Sequence, residues 1–205
     1  MLDPTVLPLF ESCDYAAFAK IVGKYRHDLL NRQGNVQLGC NIISRFLARL
    51  PDFPTLQADS VQRAGELAAG LVEQCRTTTE VVRDVLWFPM EEDLLEAEDE
   101  IATRFAAVRS RWQPYDGPAW ETLLVTLNES VEPHLTNLET QLAELSEVLQ
   151  TLITDNGEDG DVGALLATIS QELDSAVAGF QLFKDLMNLD KLIYIPENNR
   201  WDSTA

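Results

Sequence analysis

The side chains that most often hold metals or carry acid–base chemistry are sparse in this chain, which has only two histidines, His27 and His134. A di-iron carboxylate site needs Glu-x-x-His pairs, because that spacing lets a carboxylate and an imidazole project from one helix. Lys24 and Val131 stand three residues before the two histidines, so the motif is absent at both. The sequence therefore predicts no transition-metal site, and His134 is expected to be a packed or half-exposed side chain.

The segment 155–161, Asp-Asn-Gly-Glu-Asp-Gly-Asp, matches a calcium-binding loop only in part. Counted from Asp155, Gly160 is the sixth residue, where an EF-hand loop has its glycine. The twelfth residue is Leu166, where the loop requires a bidentate glutamate. We therefore interpret the segment as a solvated connector in which Asp161 caps the following helix.

Nucleophilic catalysis needs a serine or cysteine beside a base and a group that orients the base. Neither histidine lies in a recognisable triad, and the chain has no glycine-rich phosphate loop or nucleotide motif. Cys13, Cys40 and Cys75 are widely spaced without a Cys-x-x-Cys pair, so we expect buried free thiols in a reducing compartment. These patterns predict a protein that is not an enzyme and uses no cofactor.

The acids are unevenly distributed along the chain. Residues 1–65 carry seven bases and six acids, a net +1, whereas residues 66–205 carry eight bases and 28 acids, a net −20. Residues 112–183, the acidic interval, contain no lysine or arginine. Their thirteen acids are Asp116, Glu121, Glu129, Glu132, Glu139, Glu144, Glu147, Asp155, Glu158, Asp159, Asp161, Glu172 and Asp174. Such a field repels nucleic acid and anionic membrane and attracts basic protein surfaces.

Two further features extend this predicted interaction surface. The densest acidic run is 91–100, in which acids at spacings of three and four share one helix face. Aromatic side chains cluster around the proline-rich breaks, and Trp87, Phe88 and three others are the candidate apolar anchors exposed among the acids. The alternative is that these rings pack at the ends of the bundle core. The predicted partner-binding residues are Asp93, Glu96, Glu100, Trp112, Tyr115, Trp120, Glu132, Glu139, Glu144 and Glu147.

These observations favour a non-enzymatic interaction module that binds a basic protein partner, as an inhibitor, immunity protein, chaperone or adaptor does. Two alternatives stay open: a nucleic-acid mimic that blocks a DNA-binding protein, and a structural coiled-coil subunit of a larger assembly. A homodimer through the C-terminal helices is compatible with each of them. The N-terminus lacks signal-peptide features, and no apolar run approaches the roughly 20 residues that span a bilayer, so we expect a soluble, cytoplasmic protein.

Helices must position these side chains, because apolar residues recur at steps of three and four along the chain. Six helices are predicted, over about 12–34, 36–50, 60–88, 90–112, 119–152 and 162–189. The first is expected to stop near Gly34, and the fifth to be kinked or broken at Pro133. A short extended piece follows in the tail.

The predicted fold is all-α: an elongated bundle of about six helices, with the last two forming a long antiparallel, coiled-coil-like pair. Within one continuous domain, residues 1–112 are expected to form an N-terminal bundle segment. Residues 113–205 are expected to form an acidic helical hairpin that packs on it.

Overall fold

Helices dominate the computed structural model, which describes residues 5–11, 13–53, 56–89, 99–156 and 160–204. The five α-helices of these ranges are α1 Tyr15–Leu47, α2 Ala58–Val85, α3 Asp99–Arg111, α4 Gly117–Asn156 and α5 Gly160–Met187. Single 3-10 turns lie at Leu7–Phe10, Leu50–Asp52 and Pro196–Asn198, and the strands are β1 Leu192–Ile195 and β2 Arg200–Ser203. The all-α prediction is confirmed, whereas the predicted number of six helices is not.

Helix α1 replaces the first two predicted helices. The side chain of Asp14 caps it by accepting a hydrogen bond of 2.8 Å from the Ala17 N–H. The predicted end near Gly34 is wrong, because the buried stripe continues past it through Val36 and Cys40. A glycine costs a helix about 1 kcal/mol, whereas burying one large apolar side chain contributes about 1.5–3 kcal/mol. Burial therefore decides in favour of one helix.

Helix α4 is continuous through Pro133, so a break there is excluded, whereas the predicted kink stays a prediction. Proline removes a helical hydrogen bond and costs about 3 kcal/mol in a helix interior. Buried side chains on both sides of it, among them Val131 and Leu138, favour the uninterrupted helix. The helix begins at a cap in which Asp116 Oδ1 accepts a hydrogen bond of 3.0 Å from the Ala119 N–H.

The remaining elements agree less closely with the prediction. Helix α3 covers the second half of the helix predicted over 90–112, and residues 90–98 lie outside the described residues. The tail forms a hairpin in which β1 and β2 are antiparallel, with Tyr194 opposite Trp201. Asn199 has a φ of 44°, in the left-handed region that asparagine tolerates in turns.

Two compact units make up the chain, and they differ from the predicted segments 1–112 and 113–205. Unit 1 consists of Met1–Asn31, Glu80–Val131 and Phe183–Ala205, and unit 2 of Arg32–Thr79 and Glu132–Leu182. The division differs because α1, α2, α4 and α5 each contribute residues to both units.

Unit 2 has an aliphatic core that includes the apolar seams of α4 and α5. Its most deeply buried members include Val36, Cys40, Ile43, Ala64, Leu71, Cys75, Leu138, Leu145, Leu149, Leu166 and Ile169. A Cβ at Gly39 would lie 3.2 Å from the Cβ of Ala176, so this glycine allows α1 and α5 to approach closely. The coiled-coil pairing of α4 with α5 stays a prediction.

Unit 1 has an aromatic core instead. Ring centroids 5.1–6.4 Å apart connect Phe10, Tyr15, Phe18, Tyr25, Phe88, Phe105, Tyr115, Trp120, Tyr194 and Trp201. Such pairs contribute beyond the area they bury. Tyr25 donates its hydroxyl proton to the Leu186 carbonyl at 2.9 Å, and burial raises the pKa of this phenol far above its ordinary value. Helix α3 buries no residue fully and contacts this core through Phe105.

Candidate functional site

The aromatic anchors of the predicted surface lie in the core of unit 1. Trp112, Tyr115 and Trp120 keep only 6, 9 and 0% of their surface exposed, so the prediction that they are exposed is wrong. Phe88 is buried too, and Trp87 is half-buried beneath the guanidinium of Arg104, 4.4 Å from the ring centroid. Large rings beside helix ends bury more area in the core than they could at a surface. A buried ring cannot contact a partner without rearrangement.

The acidic run 91–100 is only partly described. Asp93 and Glu96 lie outside the described residues. Glu100 is exposed in the first turn of α3, beside Asp99, where a carboxylate interacts favourably with the positive end of the helix dipole. The position of Glu100 therefore has a structural explanation as well as a proposed functional one.

The other four predicted acids lie together on α4 within unit 2. Glu132, Glu139, Glu144 and Glu147 occupy the side of the helix that faces away from the buried seam, and we call this surface the acidic face. Three of these residues are exposed, and Glu144 is half-buried. Sequence periodicity therefore predicted their exposure correctly, while their role in binding stays a prediction.

One base approaches the acidic face from α2. Arg63 forms an ion pair of 2.5 Å with Glu144 and lies 4.0 Å from Glu66. Both Arg63 and Glu144 remain about half exposed, so their ion pair contributes little to stability. Another cation can therefore replace Arg63 at Glu144.

Threonine side chains sit between the glutamates of the acidic face, and their hydroxyl protons are already used. Thr136, Thr140, Thr151 and Thr154 are exposed, and each donates to the backbone carbonyl four residues earlier at 2.8–3.1 Å. A hydroxyl that donates in this way presents only its lone pairs outward. Carboxylates and hydroxyl oxygens together give this face hydrogen-bond acceptors.

A groove of about 260 Å³ borders the acidic face between α2 and α4. Arg63, Asn137, Thr140, Gln141 and Glu144 are among its lining residues. Within the described part of the chain, the buried Oε1 atom of Gln141 has no hydrogen-bond partner. A buried acceptor without a donor costs free energy, so a donor that enters the groove is favoured there. The sequence contained no signal for this position, because glutamine is common on helix surfaces.

A second cavity in unit 2 is apolar. It has a volume of about 560 Å³ and lies where α1 ends and α2 begins, with Leu50, Phe53, Leu56 and Val61 in its wall. None of its described lining residues is titratable, so this wall provides no group for acid–base chemistry.

Asp28 of unit 1 forms a polar contact that sequence reasoning missed. Its carboxylate accepts hydrogen bonds from Lys24 Nζ at 2.7 Å, from His27 Nδ1 at 3.0 Å and from the backbone N–H of Trp201 at 2.7 Å. Burial alone would raise the pKa of Asp28, but these three donors outweigh it and hold the pKa below its ordinary value. Asp28 thereby fixes β2 to α1.

The two histidines have different surroundings. His27 is exposed beside Asp28, and His134 is half-buried with its Nδ1 3.4 Å from Gln74 Oε1. Within the described ranges, no three or more His, Cys, Asp or Glu side chains lie together so that they could hold a metal ion.

Neither the helices nor known proteins supply a further indication of function. None of the described helices combines the length and apolar character that crossing a bilayer requires. Comparisons with protein-family models, with curated proteins and with solved structures found no match to this chain. The proposed function therefore depends on the geometry of the chain itself.

Proposed function

We propose that the protein is a non-enzymatic interaction module that binds a basic protein partner through the acidic face of unit 2. The observation that carries this proposal is the concentration of exposed carboxylates and hydroxyl acceptors on that face. Exposed carboxylates share this side of α4 with threonine hydroxyls that donate their protons to the helix backbone. Lysine and arginine side chains are donors only, so they complement a surface of acceptors.

The groove beside Glu144 is proposed to receive one basic side chain of the partner. Glu144 supplies a charge, and Gln141 Oε1 supplies a buried neutral acceptor that has no donor among the described residues. Arg63 occupies the Glu144 carboxylate in the isolated chain, and a partner arginine would exchange with it. A charged hydrogen bond to a formerly unpaired acceptor contributes about 1.5–3 kcal/mol.

Burial of the aromatic anchors changes the expected character of binding. With Trp112, Tyr115 and Trp120 in the core of unit 1, the apolar contribution must come from smaller exposed side chains. In unit 2 these include Val177 and Leu182 of α5, each 43% exposed. Binding carried mainly by exposed charges is fast and strongly dependent on salt, because the Debye length shrinks from about 10 Å at 0.1 M to about 3 Å at 1 M.

The test compares two triple variants with equal changes in net charge. The first converts Glu132, Glu139 and Glu147 to Gln on the acidic face. The matched control converts Asp59 and Asp174 to Asn and Glu73 to Gln, on α2 and α5 of unit 2 and outside the lining of the groove. Binding of a fluorescent lysine-rich peptide is measured by anisotropy at several salt concentrations. We expect the first variant to lose at least tenfold in affinity and the control to lose less than threefold.

Equal losses in the two variants would show that the peptide senses net charge alone, and the proposal of a binding face would then be wrong. The groove has its own test in Gln141→Leu, which removes the acceptor without altering charge. This variant is expected to weaken binding of an arginine-rich peptide at high salt, where general charge attraction is screened. Unchanged binding there would remove Gln141 from the site.

A further inference from the structure

The apolar cavity of unit 2 has the features of a binding pocket, and we call it the apolar pocket. Its wall includes side chains of the aliphatic core that are at most 9% exposed: Leu47, Leu50, Leu56 and Val61. Its other lining residues include five that are exposed: Ala48, Pro51, Ala58, Gln62 and Gly65. The pocket therefore extends from solvent to the core, and a small molecule can enter it without unfolding the chain.

The size of the apolar pocket is that of a small-molecule site. Its volume is about 560 Å³, within the range of about 300–1,000 Å³ that is typical of ligand pockets. The half-buried ring of Phe53 and the aliphatic side chains around it line this space. A ligand there would remove their apolar surface from water, and this removal is the main favourable contribution to binding.

The connection between α1 and α2 shapes this pocket. Helix α1 ends at Leu47, a 3-10 turn follows at Leu50–Asp52, and α2 begins at Ala58. Pro51 has a fixed φ and no N–H, so it suits this turn and would not continue a helix. On the α2 side, Gly65 has no side chain, and a Cβ there would meet nothing within 4 Å. This glycine therefore leaves its side of the pocket open.

The described wall of the pocket carries no charge. Within the described ranges none of its lining residues is an acid, a base or a histidine, and its polar side chains are Ser44 and Gln62. Gln62 Nε2 donates a hydrogen bond of 2.9 Å to Glu66 Oε1, and the Gln62 carbonyl oxygen can accept one from a ligand. Because one helix ends and another begins at the pocket, the negative end of the α1 dipole and the positive end of the α2 dipole offset each other.

We propose that the apolar pocket binds a neutral, mainly apolar small molecule with one hydrogen-bonding group, such as a medium-chain alcohol. An ionised ligand would lose its hydration there without gaining a partner of opposite charge. A hydroxyl group both donates and accepts, so it can bond with the Gln62 carbonyl oxygen and with the Ser44 hydroxyl. This site is independent of the acidic face, because the apolar pocket and the groove share no described lining residue.

The test uses N-phenyl-1-naphthylamine, a neutral apolar probe whose fluorescence rises when it leaves water. The full-length protein is titrated with this probe, and 1-decanol, decanoate and decylammonium then compete with it at concentrations below those at which they aggregate. We expect saturable binding at one site and displacement by 1-decanol, with both ions needing concentrations at least tenfold higher. Comparison with both ions separates the neutrality of the pocket from the net charge of −19 on the whole chain.

Two substitutions fill the pocket, one from each helix. Gly65→Leu adds a side chain on α2, where leucine is also a better helix former than glycine, and Ala48→Leu adds one beside the end of α1. Each should weaken probe binding at least tenfold without lowering the thermal midpoint. Gly34→Leu is the matched control, because Gly34 is a helical glycine of unit 2 whose Cβ would meet nothing within 4 Å and which does not line the pocket. Its probe affinity should stay within twofold of wild type.

The proposal is overturned if wild type shows no saturable binding, or if both filled variants keep the wild-type affinity for the probe. An equal loss in Gly34→Leu would show that the probe binds elsewhere. Displacement by decanoate or decylammonium as readily as by 1-decanol would overturn the neutral class of ligand. Sedimentation velocity tests the remaining occupant: if wild type dimerises and Gly65→Leu abolishes the dimer, the pocket is an interface between two copies and the small-molecule proposal is wrong.

Discussion

Substitution of Asp28 tests directly which contacts stabilise unit 1. Its carboxylate accepts three hydrogen bonds, including one of 2.7 Å from the N–H of Trp201. The ring of Trp201 is 2% exposed and contacts Tyr25 and Trp120. Asp28→Ala therefore removes the acceptor of a half-buried backbone N–H at the point where β2 meets α1.

The expected cost follows from the three donors. A half-buried N–H left without an acceptor costs about 1–3 kcal/mol. The Lys24 pair has i, i+4 spacing and is partly exposed, so its loss adds about 0.3–0.5 kcal/mol. We expect Asp28→Ala to lower the free energy of unfolding by about 2 kcal/mol at pH 7. Asp28→Asn keeps an acceptor for the N–H but loses the charge, so it should cost about half as much.

The pH dependence has a definite sign. The pKa of Asp28 in the folded chain is held below its ordinary value, which is about 3.9. The stabilisation is therefore complete above that ordinary value and is lost as the pH falls through the folded pKa. The difference between wild type and Asp28→Asn should shrink as the pH falls below about 4.

Urea unfolding followed by tryptophan fluorescence measures this effect directly, because all four tryptophans belong to unit 1. Low protein concentration is needed at acid pH, since the sequence pI is about 4.3. A loss below about 0.5 kcal/mol for Asp28→Ala at pH 7 would refute the reasoning. A wild-type advantage over Asp28→Asn that stays constant down to pH 3 would refute it too.

Other substitutions test single contacts by the same unfolding measurement, with far-UV circular dichroism as the signal for unit 2. A Cβ at Gly34 would meet nothing within 4 Å, so Gly34→Ala should stabilise α1 by about 1 kcal/mol. A destabilised variant would contradict a continuous helix at this position. At Gly39 the new Cβ would lie 3.2 Å from Ala176, so Gly39→Ala should show less of this gain or none. Trp120→Ala should lower the free energy of unfolding by about 3–5 kcal/mol. Trp87 is only half-buried, so Trp87→Ala should lower it by less than half as much. Equal losses in the two variants would contradict the assignment of Trp120 to the core.

The helical periodicity could be read from the sequence because it depends on spacing alone. The steps of four and three through Leu138, Leu142 and Leu145 predicted the buried side of α4, and this is the side that the structure buries. By the same reasoning, Glu139 and Glu147 were expected to face outward, and they do.

Helix ends were predicted poorly where tertiary burial outweighs local preference. Gly34 and Pro133 are unfavourable in helices, yet α1 and α4 pass through them. The C-terminal hairpin likewise depends on contacts that the local sequence does not show. Tyr194 and Trp201 form too short a pattern to predict a sheet, and what holds β2 in place is Asp28, which is 173 residues away in sequence.

The prediction of exposed aromatic anchors was wrong for a different reason. Tryptophans beside proline-rich breaks have the same local sequence whether they face solvent or fill a core. The contacts that bury Trp120 come from Phe10, Tyr25 and Trp201, and no local pattern connects residues so far apart. The cysteines were predicted only in part, because Cys40 and Cys75 are buried as expected whereas Cys13 is partly exposed.

The interleaved units have a consequence for biosynthesis. Unit 2 takes its second segment from Glu132–Leu182, and unit 1 takes its last from Phe183–Ala205. A nascent chain usually folds its N-terminal domain first, but here neither unit has all of its partners until the last helix has left the ribosome. The first half of the chain must therefore emerge with its apolar stripes uncovered, and chaperone binding to α1 and α2 during translation is the expected result.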